Sequence, residues 1–149
     1  MKTKWVRRLA CTGATLGLLL GASVPAEAGS DAYYRIKGTI SEANDDVGGY
    51  DVQIEFFHND VKSYFLTFWA NDEVLHLMDM QTDDDKAEAH VIVLKNGVAV
   101  DNDHFVTGTQ DWYELGTPDG SGDIPEGYRV KIKLCRKDYQ CSNWYTGKA

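Results

Sequence analysis

Apolar and polar residues alternate with period two along most of the chain after Tyr33. Tyr34, Ile36, Gly38 and Ile40 fall on one side, and Arg35, Lys37 and Thr39 on the other. Tyr50, Val52, Ile54 and Phe56 repeat the pattern against Asp51, Gln53 and Glu55, as do Ala87, Ala89, Val91 and Val93 later on. Tyr128–Cys135 sets Val130, Ile132 and Leu134 against Arg129, Lys131 and Lys133. A period of two places one face on a core and the other in water, which predicts β-strands. Val61–Trp69 lacks clean alternation but is rich in aromatic and β-branched residues, so it reads as a well-buried strand. Glu73–Met80 reads as a strand or a turn of helix.

Punctuation between these runs fits the same reading. Asn96-Gly97 separates two alternating runs, and both residues tolerate the positive φ that a two-residue hairpin turn demands. It predicts a hairpin with a return strand over Val98–Val106, interrupted at Asp101-Asn102-Asp103. A short strand is expected at Trp112–Leu115, a long Gly- and Pro-containing loop over Gly116–Gly127, and a last strand over Cys141–Tyr145. The expectation is an all-β protein: one β-sandwich-like domain of about eight or nine antiparallel strands, after a leader.

That leader is the first 28 residues, which read as a cleaved secretory signal peptide. Lys2, Lys4, Arg7 and Arg8 precede an apolar stretch from Leu9 to Val24, and Ala26-Glu27-Ala28 supplies a small-residue cleavage pattern before Gly29. The apolar stretch is shorter than the roughly 20 residues of a membrane span. Cys11 lies at its start, not its end, which disfavours a lipid anchor. The expected mature domain is therefore residues 29–149, secreted, extracellular and free of the membrane. Removing four basic residues and Glu27 takes the formal net charge from −8 to −11. Such a field argues against nucleic acid or anionic lipid as a partner.

Processing also leaves an even pair of cysteines, Cys135 and Cys141, with five residues between them. In an oxidising compartment two thiols pair, and this spacing suits a staple across a hairpin. A redox pair would more often be Cys-x-x-Cys beside a helix.

Candidate chemistry is sparse. Asp79, Asp83, Asp84 and Asp85 crowd one connection, and a second reading beside a plain solvated turn is a calcium site, since calcium takes carboxylate and carbonyl oxygens. No other cofactor is expected. Asp119–Ile124 has the look of an EF-hand loop, but its register would put Tyr128 where a bidentate Glu belongs. The four histidines, His58, His76, His90 and His104, show no linear zinc spacing. Nucleophile-elbow and phosphate-loop motifs are missing. Abundant Asp and Glu leave room for a small glycosidase-like hydrolase using paired carboxylates, a reading with no specific motif behind it. Aromatics are the alternative: Trp112, Tyr113 and Trp144 flank the last hairpin and would bind a sugar by stacking if exposed, or fill the core if not.

From about Leu75 onward the chain resembles small secreted β-sandwich-like proteins of actinobacteria. The residues carrying this are Asp79 with Asp83–Asp85, then Ala89-His90-Val91-Ile92-Val93, Gly97, Glu126-Gly127, and the strand into Cys135 followed by Cys141. The resemblance implies a secreted domain of uncharacterised function and carries over no catalytic residue. The preferred expectation is a monomeric, non-catalytic binding or interaction module for an extracellular protein or polysaccharide.

Overall fold

A computed structural model describes residues 34–117 and 122–149. The stretch 1–28 read as a signal peptide and residues 119–121 of the EF-hand-like loop lie outside the described residues. The described chain is all-β, without a helix. Its ten strands are β1 (Tyr34–Glu42), β2 (Tyr50–His58), β3 (Val61–Trp69), β4 (Val74–Asp79), β5 (Ala87–Lys95), β6 (Val98–Thr107), β7 (Gln110–Glu114), β8 (Arg129–Arg136), β9 (Gln140–Cys141) and β10 (Tyr145–Lys148).

All pairings are antiparallel, and the strands join into one sheet with the order β6-β5-β8-β10-β2-β3-β4-β7. β1 adds to β2, and β9 adds to β8. The sheet is nearly closed: at its two ends Phe105 of β6 stacks on Tyr113 of β7 with ring centroids 4.2 Å apart. Glu73–Met80 resolves as strand, not helix, because β4 pairs along its length with β3 and with β7. Asp101-Asn102-Asp103 does not interrupt β6, since β5 pairs through it.

Alternation sets the core. Val52, Ile54 and Phe56 of β2, Tyr64, Leu66 and Phe68 of β3, and Leu75 and Leu77 of β4 meet Ala87, Ala89, Val91 and Val93 of β5 and Val130, Ile132 and Leu134 of β8. All are essentially solvent-free. These five apolar faces supply the driving force for collapse at roughly 25 cal/mol per Å² buried. Glycine also permits a close backbone approach. A Cβ on Gly147 of β10 would lie 2.7 Å from the Tyr50 carbonyl oxygen and 3.0 Å from the Phe68 ring.

Two hairpins turn on residues with positive φ: Asn59-Asp60 between β2 and β3, and Asn96-Gly97 between β5 and β6. Both hairpins also carry a register shift, at Phe56/Phe57 and at Val93/Leu94. Cys135 and Cys141 are directly opposite in the β8–β9 pairing and form the expected disulfide. The final strand begins only at Tyr145, after Ser142-Asn143-Trp144 leaves the ladder, and it re-pairs with β8 further along. No helix among the described residues is long and apolar enough to cross a membrane.

Candidate functional site

The outward face of β3, β4 and β7 departs from the polar pattern of a solvated sheet. β4 pairs with β3 so that Thr67 faces His76 and Trp69 faces Val74, and with β7 so that His76 faces Trp112. Period two therefore brings Trp69, His76 and Trp112 to one face of three adjacent strands. Their rings stack nearly parallel. Trp112 lies 4.1 Å from His76 and 5.2 Å from Trp69, with interplanar angles of 10° and 9°. Phe65 adds an edge contact to His76 at 6.0 Å.

The stack hides a histidine on the outside of the sheet. His76 is only 7% exposed, whereas Trp112 above it is 58% exposed. Burial pushes the His76 pKa down, so the ring stays neutral at physiological pH. Its Nε2 is buried without a hydrogen-bond partner among the described residues.

Beside the stack lies a groove of about 470 Å³. Trp69, Trp112 and Val74 form its apolar part. Its rim is polar: Asn44 and Asp45 come from the β1–β2 connection, Asp51 from β2, and Asn71 and Asp72 from the β3–β4 turn. The rim is anchored from within. Asp51 Oδ1 accepts the Ala70 amide at 2.9 Å, and the Asn71 side-chain amide donates to Asp72 Oδ2 at 3.2 Å. The β3–β4 turn needs Glu73 at φ 45°, and the Glu73 carbonyl accepts the Leu115 amide at 2.9 Å, tying the turn to the end of β7. The groove thus joins flat apolar ring faces to carboxylates and amides, a combination suited to a ligand with apolar faces and hydroxyl edges.

The three aromatics expected to act together are separated. Trp112 belongs to the groove. Tyr113, next in sequence, points through to the other side of β7, where it packs on Phe105 and its hydroxyl donates to Asp111 Oδ2 at 3.4 Å. A neighbouring cleft is lined by Phe105, Tyr113 and Trp112 together, so Tyr113 stays near the site. Trp144 sits beside β8 with the ammonium groups of Lys131 and Lys133 5.3 and 5.0 Å from its ring. Between β10 and β7 in the sheet stand β2, β3 and β4. Trp69 was the partner missing from the sequence reading. It closes a run that looks like buried strand, and only its even spacing from Phe65 and Thr67 hinted at an outward face.

The acidic connection is occupied differently from an open ion cage. Asp79 is buried, its Oδ1 accepts the Gln81 amide, and burial raises its pKa, with Asp83 and Asp85 adding to the rise. Asp83 Oδ1 accepts the Asp85 amide, while Asp85 pairs with Arg136, whose guanidinium also reaches the Tyr34 hydroxyl. Among the described residues, one group of three His, Cys, Asp or Glu side chains brings its ligand atoms within 4.8 Å of one another, and it is Glu88, His90 and His104.

A scan against protein-family models finds no match, and searches of curated proteins and of solved structures find none either.

Proposed function

We propose that this chain is a secreted, non-catalytic binding module whose Trp69–Trp112 groove takes a neutral polysaccharide. The observation that carries this reading is the exposed Trp112 ring, stacked on Trp69 at 5.2 Å and bordered by side-chain amides and carboxylates. Stacking prepares the ring geometry before the ligand arrives, which lowers the ordering cost of binding. Sugar C–H faces lie flat on indole, and Asn44, Asn71 and Asp72 offer donors and acceptors to hydroxyls. The surplus of carboxylates on the rim disfavours uronic or sulfated chains by like-charge repulsion. The disulfide and the signal-like leader support an extracellular setting.

A glycosidase would need two free carboxyls flanking the scissile bond at about 5–10 Å. Two of the three rim aspartates already accept hydrogen bonds, Asp51 from the Ala70 amide and Asp72 from the Asn71 side chain, which favours binding over hydrolysis. Affinity electrophoresis or pull-down on insoluble neutral glucans, mannans and chitin is the test. Trp112→Ala should weaken retention about tenfold, the equivalent of one aromatic stacking contact of roughly 1.4 kcal/mol. Trp144→Ala should leave it unchanged. Retention indifferent to Trp112 would overturn the reading, and release of reducing ends would replace it with the hydrolase.

A further inference from the structure

On a different stretch of the outer surface, β5 and β6 bring three metal-ligand side chains together. Glu88 and His90 are two apart on β5 and so share its outward face, while Ala87, Ala89 and Val91 point into the core. His104 of β6 lies directly across from His90. That pairing depends on the register shift at Val93/Leu94. Counted back from the Asn96-Gly97 turn without the shift, His90 would meet Asp103, and His104 would pair with Ala89 on the inward side. One extra residue in β6 therefore turns His104 outward and sets it beside His90.

The three side chains converge on one point. Glu88 Oε1 is 2.9 Å from His90 Nε2 and 2.5 Å from His104 Nε2. The imidazoles stack with centroids 4.7 Å apart and planes 22° from parallel, so both Nε2 atoms face the same carboxylate oxygen. From β8, Lys133 stands opposite His90, and its ammonium is drawn over the Trp144 ring at 5.0 Å. Burial lowers the His90 pKa, and Lys133 and His104 lower it further against the pull of Glu88.

We propose that Glu88, His90 and His104 form a binding site for a divalent transition-metal ion of the zinc class. Two imidazole nitrogens and one carboxylate oxygen are the donors that zinc and copper(II) prefer and that calcium and magnesium do not. Zinc binds such ligands at about 2.0–2.2 Å, which spaces them about 3.4 Å apart around a tetrahedron. The present spacings of 2.5 and 2.9 Å are shorter, so the ring nitrogens must swing outward by less than about 1 Å, starting from the values here. His104 is free to do so, being half-exposed on its side chain. The same exposure leaves the fourth position to water. In binding, each ring offers its Nε2 lone pair to the metal with its one proton on Nδ1, and a ring that starts doubly protonated releases its Nε2 proton to solvent.

Calorimetric titration of the disulfide-bonded protein with zinc chloride at neutral pH is the direct test, with calcium and magnesium chloride alongside. One zinc per chain is expected, accompanied by a higher melting temperature, with neither from calcium or magnesium. His104→Ala and Glu88→Gln should each weaken zinc at least tenfold. Because both side chains point outward, the variants should keep the parent's far-UV spectrum. Trp112→Ala should bind zinc as the parent does, which separates this site from the aromatic groove. The proposal is overturned by no binding at about 100 μM zinc, a concentration at which a three-ligand site should be filled. Zinc affinity untouched by both ligand variants would equally overturn it, by moving the ion to other residues.

Discussion

A single ring stacked on the outside of the sheet changes what His76 is. In the sequence it is one polar residue among alternating leucines. Under Trp112 it becomes a buried neutral base with its pKa held below the ordinary 6.5 by desolvation. The sign of its effect on stability follows. Between the folded and the ordinary pKa the unfolded chain binds more protons, so stability rises with pH across that window. The contribution is present above about pH 6.5 and is lost as pH falls through the folded value. In an NMR titration, Trp112→Ala should move the His76 pKa upward toward 6.5 by re-solvating the ring. An unmoved His76 would show that Trp112 does not cover it in solution. The same variant thus reports on the groove without any ligand.

At the scale of elements, the end of the chain needs the most help. β9 has two residues and β10 four, and a short strand contributes few ladder bonds of its own. The Cys135–Cys141 link closes a loop of sequence separation 6 at the start of this segment. Further support comes from Ser142, whose hydroxyl accepts the Leu134 amide at 3.1 Å while its own amide donates to the Leu134 carbonyl at 2.8 Å. In the chain-entropy account a loop this short stabilises by about 2 kcal/mol. Replacing both cysteines by serine should cost about that amount in urea denaturation, with the strand content retained. A loss near zero would mean that the hairpin is held by its hydrogen bonds alone. The acidic connection between β4 and β5 belongs to this scale too. Its carboxylates serve as local caps and as the partner of Arg136, so they organise the approach to β5 as well as charging the surface.

Over the whole molecule the balance of charge opposes folding. Beyond residue 28 the chain carries 22 acidic against 11 basic residues. Several carboxyls respond to one another: burial raises the Glu73 pKa first, and Asp123, Glu126, Asp46 and Asp72 raise it further. Glu55 is an exception, held below its usual range by the Lys62 ammonium, with Lys37 assisting. Net repulsion of this kind is screened by salt over a Debye length of about 10 Å at 0.1 M. Raising the ionic strength from about 0.02 to 0.5 M with sodium chloride should therefore raise the melting temperature by a few degrees. A fall on adding salt would show that the ion pairs around Glu55 and Arg136 outweigh the repulsion.

The sequence by itself determined most of the strands, the faces of most of these, and the disulfide. Those features depend on local information: period-two alternation in β2, β5 and β8, the φ tolerance of Asn96-Gly97, and two cysteines separated by a hairpin turn. The tertiary structure decided which strands became neighbours and by what register, and the candidate sites depend on both. Trp69 and Trp112 are far apart in sequence and meet because β4 is inserted between β3 and β7. His90 and His104 meet because one extra residue in β6 shifts the pairing beyond Leu94. Nothing in the alternation marks that residue: apolar Val98, Ala99 and Val100 accept either count. A one-residue slip inverts every side chain of a strand, so a site built across two strands is set by pairing energy spread over the whole ladder. Composition and spacing cannot report it.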